Sequence, residues 1–582
     1  MGINFLNDKF LFLDGAMGTM LQKSGLKLGE RPETLSITNA DLICDIHKQY
    51  INAGANIIYA NTFGANDLKL KDNEYSLNEV ITASINCAKN AVKGTDTQVA
   101  LDVGPLGEML KPAGSLSFDD AYNEFKKVVI AGENAGANLV VFETMTDIYE
   151  VKAAVLATKE NTKLPIFVSM SFEENGRTFQ GCPVEAMALV LEGLAVDAVG
   201  INCSLGPQEI FPLAKRLCDS TNLPVFVKPN AGLPNLKTGG YDLNPETFAE
   251  ILKDYINLGI FAVGGCCGTT PDFICETKKV FEKYKPFKRE QHFRAAICSG
   301  TKYLPLENIC VIGERINPTG KKIFREALKN NDMDYILKQA VDQQEAGADI
   351  LDVNVGTPGI DEPQMMINVV TNLQSVTDLP LQIDSSDPIA VEKALRIYNG
   401  KAIVNSVNGE KAVMDKLLPI VKKYGAAVVG LTLDENGIPP KAEERFAIAK
   451  HILETALSYG IAKENVLIDC LTLTASAQQA EVAETLKAVR LVKQNLGLKT
   501  VLGVSNISFG LPNRELLNHS FLLLAMGEGL DLPILNPNID SMMSAVHAYR
   551  VLYNIDKQSS QYIDAYKDYT PTEQKIQKTS TG

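Results

Sequence analysis

Two tandem (β/α)8 barrels, an α/β architecture, are the fold this sequence predicts, and three observations predict it. Short, near-continuously apolar runs alternate with amphipathic helical stretches along the chain. The runs number eight, pause across a polar segment, and number eight again. Each run also ends in polar residues, the pattern of parallel strands that are buried on both faces and open onto a barrel rim.

The first set of runs lies at 10–17, 56–63, 99–105, 139–145, 165–172, 198–204, 224–231 and 261–268. Between them stand helical stretches such as 117–135, where Ala121, Phe125, Val128 and Val129 recur at helical spacing and Ser117 with Asp120 resembles a capping box. The second set lies at 309–317, 350–356, 381–386, 402–408, 428–434, 466–473, 500–506 and 532–538. The boundaries that follow are a first barrel over 1–285, a connector over 286–308, a second barrel over 309–555, and a polar tail or truncated linker over 556–582.

Composition narrows the class. With 582 residues, 45% hydrophobic and 22% charged, the chain is an ordinary globular one, long enough for two or three domains. Its apolar runs fall short of the ~20 residues that span a bilayer, and the N-terminal one is too short for a signal peptide. A net charge of −14 without long single-sign runs disfavours nucleic acid or an anionic membrane as partner and favours a small ligand. Eleven cysteines, an odd number thinly spread, point to reduced thiols in a cytoplasm.

The strand ends carry the chemistry. In the first set, strand six ends in Cys203 and strand eight in Cys266 and Cys267, all at one rim. Three thiolates, two of them flanked by Gly264, Gly265 and Gly268, suit Zn2+ with its fourth position open. Such a zinc would lower the pKa of a substrate thiol from about 8.5 and present it as a nucleophile. An isolated cysteine is usually just a small buried hydrophobe, which is the reading kept for the other eight.

The strings DGAMGT (14–19), NTF (61–63), FETM (142–145), GINCS (200–204), KPNAG (228–232) and GGCCGTTP (264–271) resemble the homocysteine-binding domain shared by cobalamin-dependent methionine synthases and the betaine– and S-methylmethionine–homocysteine methyltransferases. The resemblance covers nearly all of 1–285. It implies that Cys203, Cys266 and Cys267 hold zinc and that zinc takes the homocysteine sulfur. It also implies that Asp14, Gly15, Ala16, Met17, Gly18 and Thr19 hold the amino-acid end, with Glu143 pairing the ammonium. Asn230 is a candidate for the open zinc position before substrate arrives.

The second rim is built differently. Its strand ends carry Glu314 and Asn317, Asp352 and Asn354, Asp384, Asn405 and Asn408, Asp434, Asp469, Asn506, and Asn536 with Asn538. Carboxylates and amides without a histidine or cysteine cluster form a hydrogen-bonding surface, and the donor–acceptor edge of a pterin is a ring system that needs this mixture. GERINPTG, DVNVGTPG, QIDSS, VNSVNG and GVSNISFGLPNR, within 309–550, resemble the pterin-binding domain of the same methionine synthases, kin to dihydropteroate synthase and the methyltetrahydrofolate–corrinoid methyltransferases. The resemblance implies that Glu314, Asn317, Asp384, Asn405, Asp469 and Asn506 bind methyltetrahydrofolate. By the same resemblance Asn506 is the catalytic residue near N5, orienting a proton source because an amide is no acid itself. Arg514 and Lys321 are candidates for the folate tail.

A cobalamin module of that family carries D-x-H-x-x-G. The nearest string here, Asp45-Ile46-His47-Lys48-Gln49-Tyr50, lacks the glycine, so His47 is read as an ordinary helix residue. The resemblance therefore implies a methyltransferase that passes the methyl of 5-methyltetrahydrofolate through cobalamin to zinc-activated homocysteine, yielding methionine and tetrahydrofolate. The corrinoid would come from a separate corrinoid protein or from another domain of a longer enzyme. Two alternatives stand beside it: a corrinoid-independent homocysteine methyltransferase using a betaine or sulfonium donor, and a non-catalytic folate- and homocysteine-binding module.

Overall fold

The computed structural model describes residues 9–27, 29–233 and 240–569. Two (β/α)8 barrels follow one another along the chain. The first is built from β1 (Leu11–Phe12), β2 (Ile57–Tyr59), β3 (Gln98–Val103), β4 (Leu139–Met145), β5 (Ile166–Met170), β6 (Ala198–Asn202), β7 (Val225–Lys228) and β8 (Ala262–Val263). Each strand pairs in parallel with its neighbour, β1 with β8 included. Closure between β1 and β2 is slight. A single parallel bridge joins Leu13 to Ile57, helped by the Asn56 side chain, whose Oδ1 accepts the Phe12 N–H at 2.8 Å.

The barrel interior is filled by inward residues from all eight strands, among them Ile57, Leu139, Phe167, Ala198 and Phe226. Outside it, the helices form where the periodicity asks for them. The helix Phe118–Ala135 starts at Ser117, whose hydroxyl accepts the Asp120 N–H, stops at left-handed Gly136, and buries Ala121, Phe125, Val128 and Val129.

A hairpin precedes the second barrel. β9 (Ala296–Ser299) and β10 (Tyr303–Pro305) pair antiparallel, and β14 (Gly400–Lys401) adds to β9. The closed barrel comprises β11 (Ile312–Ile316), β12 (Ile350–Val353), β13 (Leu381–Asp384), β15 (Ile403–Asn408), β16 (Ala427–Leu431), β17 (Val466–Asp469), β18 (Lys499–Gly503) and β19 (Leu532–Leu535). Ile297 and Leu306 pack with Ile312, Ile350, Ile403, Leu467 and Leu532, residues at the starts of the strands. The hairpin thus plugs the N-terminal end of the barrel and leaves the opposite rim for chemistry. The segment expected as a plain connector carries this structure, and the short helix Ser560–Tyr566 lies in the expected tail. The rest of that tail, from residue 570, lies outside the described residues.

The barrels pack tightly together. Lys152, fully buried on the helix Ile148–Asn161, donates to the carbonyls of Leu395 at 2.6 Å and Tyr398 at 2.7 Å on the second barrel. Arg396 reaches back to Asp119 at 3.1 Å, its guanidinium 4.5 Å from the Tyr122 ring centre. Gly193 and Gly425 meet so closely that a Cβ on Gly425 would lie 2.3 Å from Gly193. Among the described residues no helix is long and apolar enough to cross a membrane.

Candidate functional site

The rim of the first barrel encloses a cavity of about 480 Å³. Asp14 to Thr19, Glu143, Cys203, Cys266 and Cys267 all line it, so the residues singled out for this half share one chamber. Local geometry fixes each of them. Asp14 follows β1 and its Oδ2 accepts the Tyr59 N–H at 2.7 Å. Gly15 has no room for a side chain, since a Cβ there would come within 2.9 Å of Thr269 and Tyr50. Ala16 N–H donates to Thr269 Oγ1 at 3.3 Å, and Thr19 Oγ1 accepts the Gly268 N–H at 3.0 Å. The first loop is thereby laced to the loop that carries Cys266 and Cys267.

The cysteines converge. One sulfur from each lies within 4.8 Å of the other two, and Cys203 and Cys267 are 3.7 Å apart. Tetrahedral bonds of ~2.3 Å require sulfurs about 3.8 Å apart, so the donor set and its spacing fit zinc. Backbone bonds hold the set: Cys203 N–H donates to Lys228 O at 3.1 Å, and Cys266 N–H to Pro229 O at 2.8 Å. Cys203 and the neighbouring Thr144 sit in the left-handed region at φ 61° and 60°. Around them, Asn202 Nδ2 donates to Thr144 Oγ1 at 2.8 Å and approaches Cys266 Sγ at 3.8 Å. Hydrogen bonds from Cys203 and Cys266 hold the Cys267 thiol far below its ordinary range, at about 3, and the Tyr241 phenol adds to them. Cys203 and Cys266 are pushed up in turn, so the negative charge rests on Cys267. Asn230, the candidate fourth ligand, is buried, and its Oδ1 has no partner.

Behind the thiols lies a buried ionic cluster. Lys228 Nζ stands 3.3 Å from Asp14 Oδ1, 3.3 Å from Glu143 Oε2 and 3.4 Å from the centre of the Tyr59 ring. Burial raises Asp14 to about 6 against the pull of Lys228. Burial, with Glu143 adding to it, pushes Asp102 well above the carboxylate range, and its Oδ1 has no partner.

On the second barrel, the predicted residues stand at the C-terminal strand ends. Asp384 and Asn405 are Cα partners across β13 and β15. Asn354 and Asn317 donate to Asp384 Oδ2 at 3.0 and 3.4 Å, and burial raises that carboxyl to about 6. Asp352 receives Gln382 Nε2 at 2.8 Å. Glu314, raised by burial, accepts the Ser505 hydroxyl at 3.2 Å, next to Asn506 on the turn Val504–Ser508. Asp469 ends β17, accepts the Leu471 N–H at 2.7 Å, and is raised by burial to about 7. Among the described residues, neither the Asp469 nor the Asn506 side chain hydrogen-bonds the other predicted residues. Arg514, a candidate for the folate tail, clamps the turn: Nε donates to Ser508 Oγ at 2.9 Å, Nη2 to Ser505 O at 3.0 Å. Lys321 is likewise engaged, donating to Glu314 O at 2.6 Å.

Residues 11–281 match the family model described as homocysteine S-methyltransferase, and residues 313–536 the one described as pterin binding enzyme. The two matches follow one another along the chain. Methionine synthase of Mycobacterium tuberculosis (strain ATCC 25618 / H37Rv) is 33% identical over 571 residues, 92% of this chain and 48% of that protein. Methionine synthase of Mycobacterium leprae (strain TN) is 34% identical over 568 residues, 90% and 47% of the two chains. The chain therefore spans about half the length of these relatives. Among solved structures, the metallated form of the homocysteine methyltransferase MmuM from Escherichia coli covers 47% of this chain and 96% of its own, at 25% identity and a TM-score of 0.42.

In the first barrel, sequence reasoning missed Tyr59, Asp102, Lys228 and Tyr241, all of which line the cavity. Asp102 and Lys228 were reachable, because both are polar residues near the C-terminal ends of barrel strands. Tyr241 lies in the loop after β7, where no periodicity points inward.

Proposed function

We propose that the chain holds the two substrate-binding ends of a methyl transfer from 5-methyltetrahydrofolate to homocysteine, a methyltransferase reaction of the methionine synthase type. The methyl would travel on a corrinoid co-substrate supplied by another domain or protein. Residues 1–285 would serve homocysteine and residues 309–555 the folate, joined by 286–308. The observation that carries the reading is the convergence of three thiol sulfurs in a chamber that also holds a carboxylate cluster.

Cys203, Cys266 and Cys267 would hold Zn2+. Bound there, the metal supplies Lewis acidity that lowers the pKa of the substrate thiol. The protein's own groups do the rest. Glu143 and the unpartnered Asp102 Oδ1 are acceptors for the α-ammonium, and the turn at Met17–Thr19 offers backbone N–H groups to the α-carboxylate. In the second barrel, Asp384, Asn405 and Asp469 would bond the pterin edge, with Glu314 and Asn317 beside them. Asn506 would orient a proton at N5, the atom that must accept one as its bond to methyl breaks. The eleven free thiols support setting this chemistry in the cytoplasm.

Elemental analysis of the purified chain tests the first half. The reading predicts one zinc per chain, lost on Cys266→Ser together with homocysteine binding. A wild-type chain that binds homocysteine equally well with and without zinc would overturn it.

A further inference from the structure

The amino-acid end of the first cavity holds three carboxylates, Asp14, Asp102 and Glu143, and one ammonium, Lys228. Glu33 also lines the wall, but its Oε1 is taken by the Gly64 N–H at 2.7 Å. Lys228 is fully enclosed: 3% of its side chain is exposed, two carboxylate oxygens lie 3.3 Å from Nζ, and the Tyr59 ring closes a third side. Although Lys228 lines the cavity, its Nζ is taken up by two carboxylates and a ring, so it acts on a ligand through the oxygens it holds. It can decide which oxygens meet that ligand.

The geometry points to Lys228 as the positioning residue that makes this chamber selective for a thiol bearing an α-ammonium, by occupying Asp14 Oδ1 and Glu143 Oε2 and leaving the Asp102–Glu143 side for the incoming cation. The inference rests on the homocysteine reading and deepens it. Two further observations support it. Asp102 Oδ1 is buried without any partner, and such an acceptor calls for a donor from the ligand. The Lys228 carbonyl also accepts the Cys203 N–H, so one residue ties the ammonium end of the chamber to the sulfur end and fixes the reach between them.

Without Lys228, Asp14 and Glu143 would lose the contacts that hold their rotamers, and the acceptor for the ammonium would be misplaced. Selectivity for the ammonium should fall, while binding through sulfur should not.

Calorimetry on the zinc-loaded chain tests this with two probes, L-homocysteine and 4-mercaptobutanoate, which keeps the thiol and carboxylate but lacks the amine. In Lys228→Met, homocysteine affinity is expected to fall by about tenfold to a hundredfold. The affinity for 4-mercaptobutanoate is expected to stay within about twofold, with zinc content unchanged. Tyr59→Leu, which leaves the lysine but removes the ring beneath it, should give the same selective loss in weaker form, and serves if Lys228→Met does not fold. Equal losses for both thiols, or no loss for homocysteine, would overturn the role given to Lys228. A wild-type chain that binds neither thiol would instead overturn the homocysteine reading, and the inference with it.

Discussion

A buried carboxyl at a barrel mouth has two possible charge states, and its surroundings decide which one the ligand meets. Asp469 illustrates this. Burial raises it to about 7, and only the ionised form accepts two parallel N–H bonds from a pterin edge. Its proton comes on as pH falls through that value, so binding is full above it and weakens below. Affinity for 5-methyltetrahydrofolate, measured by fluorescence or calorimetry, should therefore drop roughly tenfold per pH unit below about 7, since protonation removes the acceptor. Asp469→Asn should flatten that slope and cost about 1.5–3 kcal/mol at pH 8. A pH-independent affinity in the wild type would contradict the assignment. His47, by contrast, is buried with both ring nitrogens unpartnered and is held neutral by burial at about 4, in keeping with an ordinary helix residue.

Elements position what residues perform. The single 3-10 turn Val504–Ser508 packs against the helix Arg514–Gly527, and Arg514 ties the two through Ser505 O and Ser508 Oγ, with its guanidinium 4.5 Å from the Phe509 ring centre. Arg514→Leu should leave folate affinity within about threefold yet slow demethylation of 5-methyltetrahydrofolate by roughly tenfold to a hundredfold, because misplacing a catalytic group costs rate before binding. Single-turnover kinetics read both quantities. The sixteen barrel strands were legible in the sequence, because strands buried on both faces leave unbroken apolar runs closed by polar ends. The hairpin β9–β10 was not, since its strands of four and three residues sit in a polar, basic segment and take their burial from a barrel that follows them. Within the site, the thiol trio was legible from strand-end placement alone. Lys228 was overlooked although it ends β7, because its partners Asp14 and Glu143 lie 214 and 85 residues away and only the folded barrel brings them together.

At the scale of the molecule, the two barrels are joined through charged groups removed from water. Lys152 is the extreme case: burial lowers it from 10.5 to about 7. The unfolded chain keeps that proton up to about 10.5, so between the two values the unfolded state binds more protons and stability rises with pH. Urea midpoints measured from pH 7 to 10 should rise in the wild type and rise less in Lys152→Met. The interface also holds one barrel against the other, so under the proposed function the methyl group would need a carrier that moves between the rims. That carrier is the central claim. The most direct measurement mixes the zinc-loaded chain with cob(I)alamin and 5-methyltetrahydrofolate, then adds homocysteine, following the corrinoid absorption and the methionine formed. The account predicts that the corrinoid gains a methyl in the first step and loses it in the second, with methionine appearing in equal amount. Both substrates binding while no methyl reaches or leaves the corrinoid would contradict it.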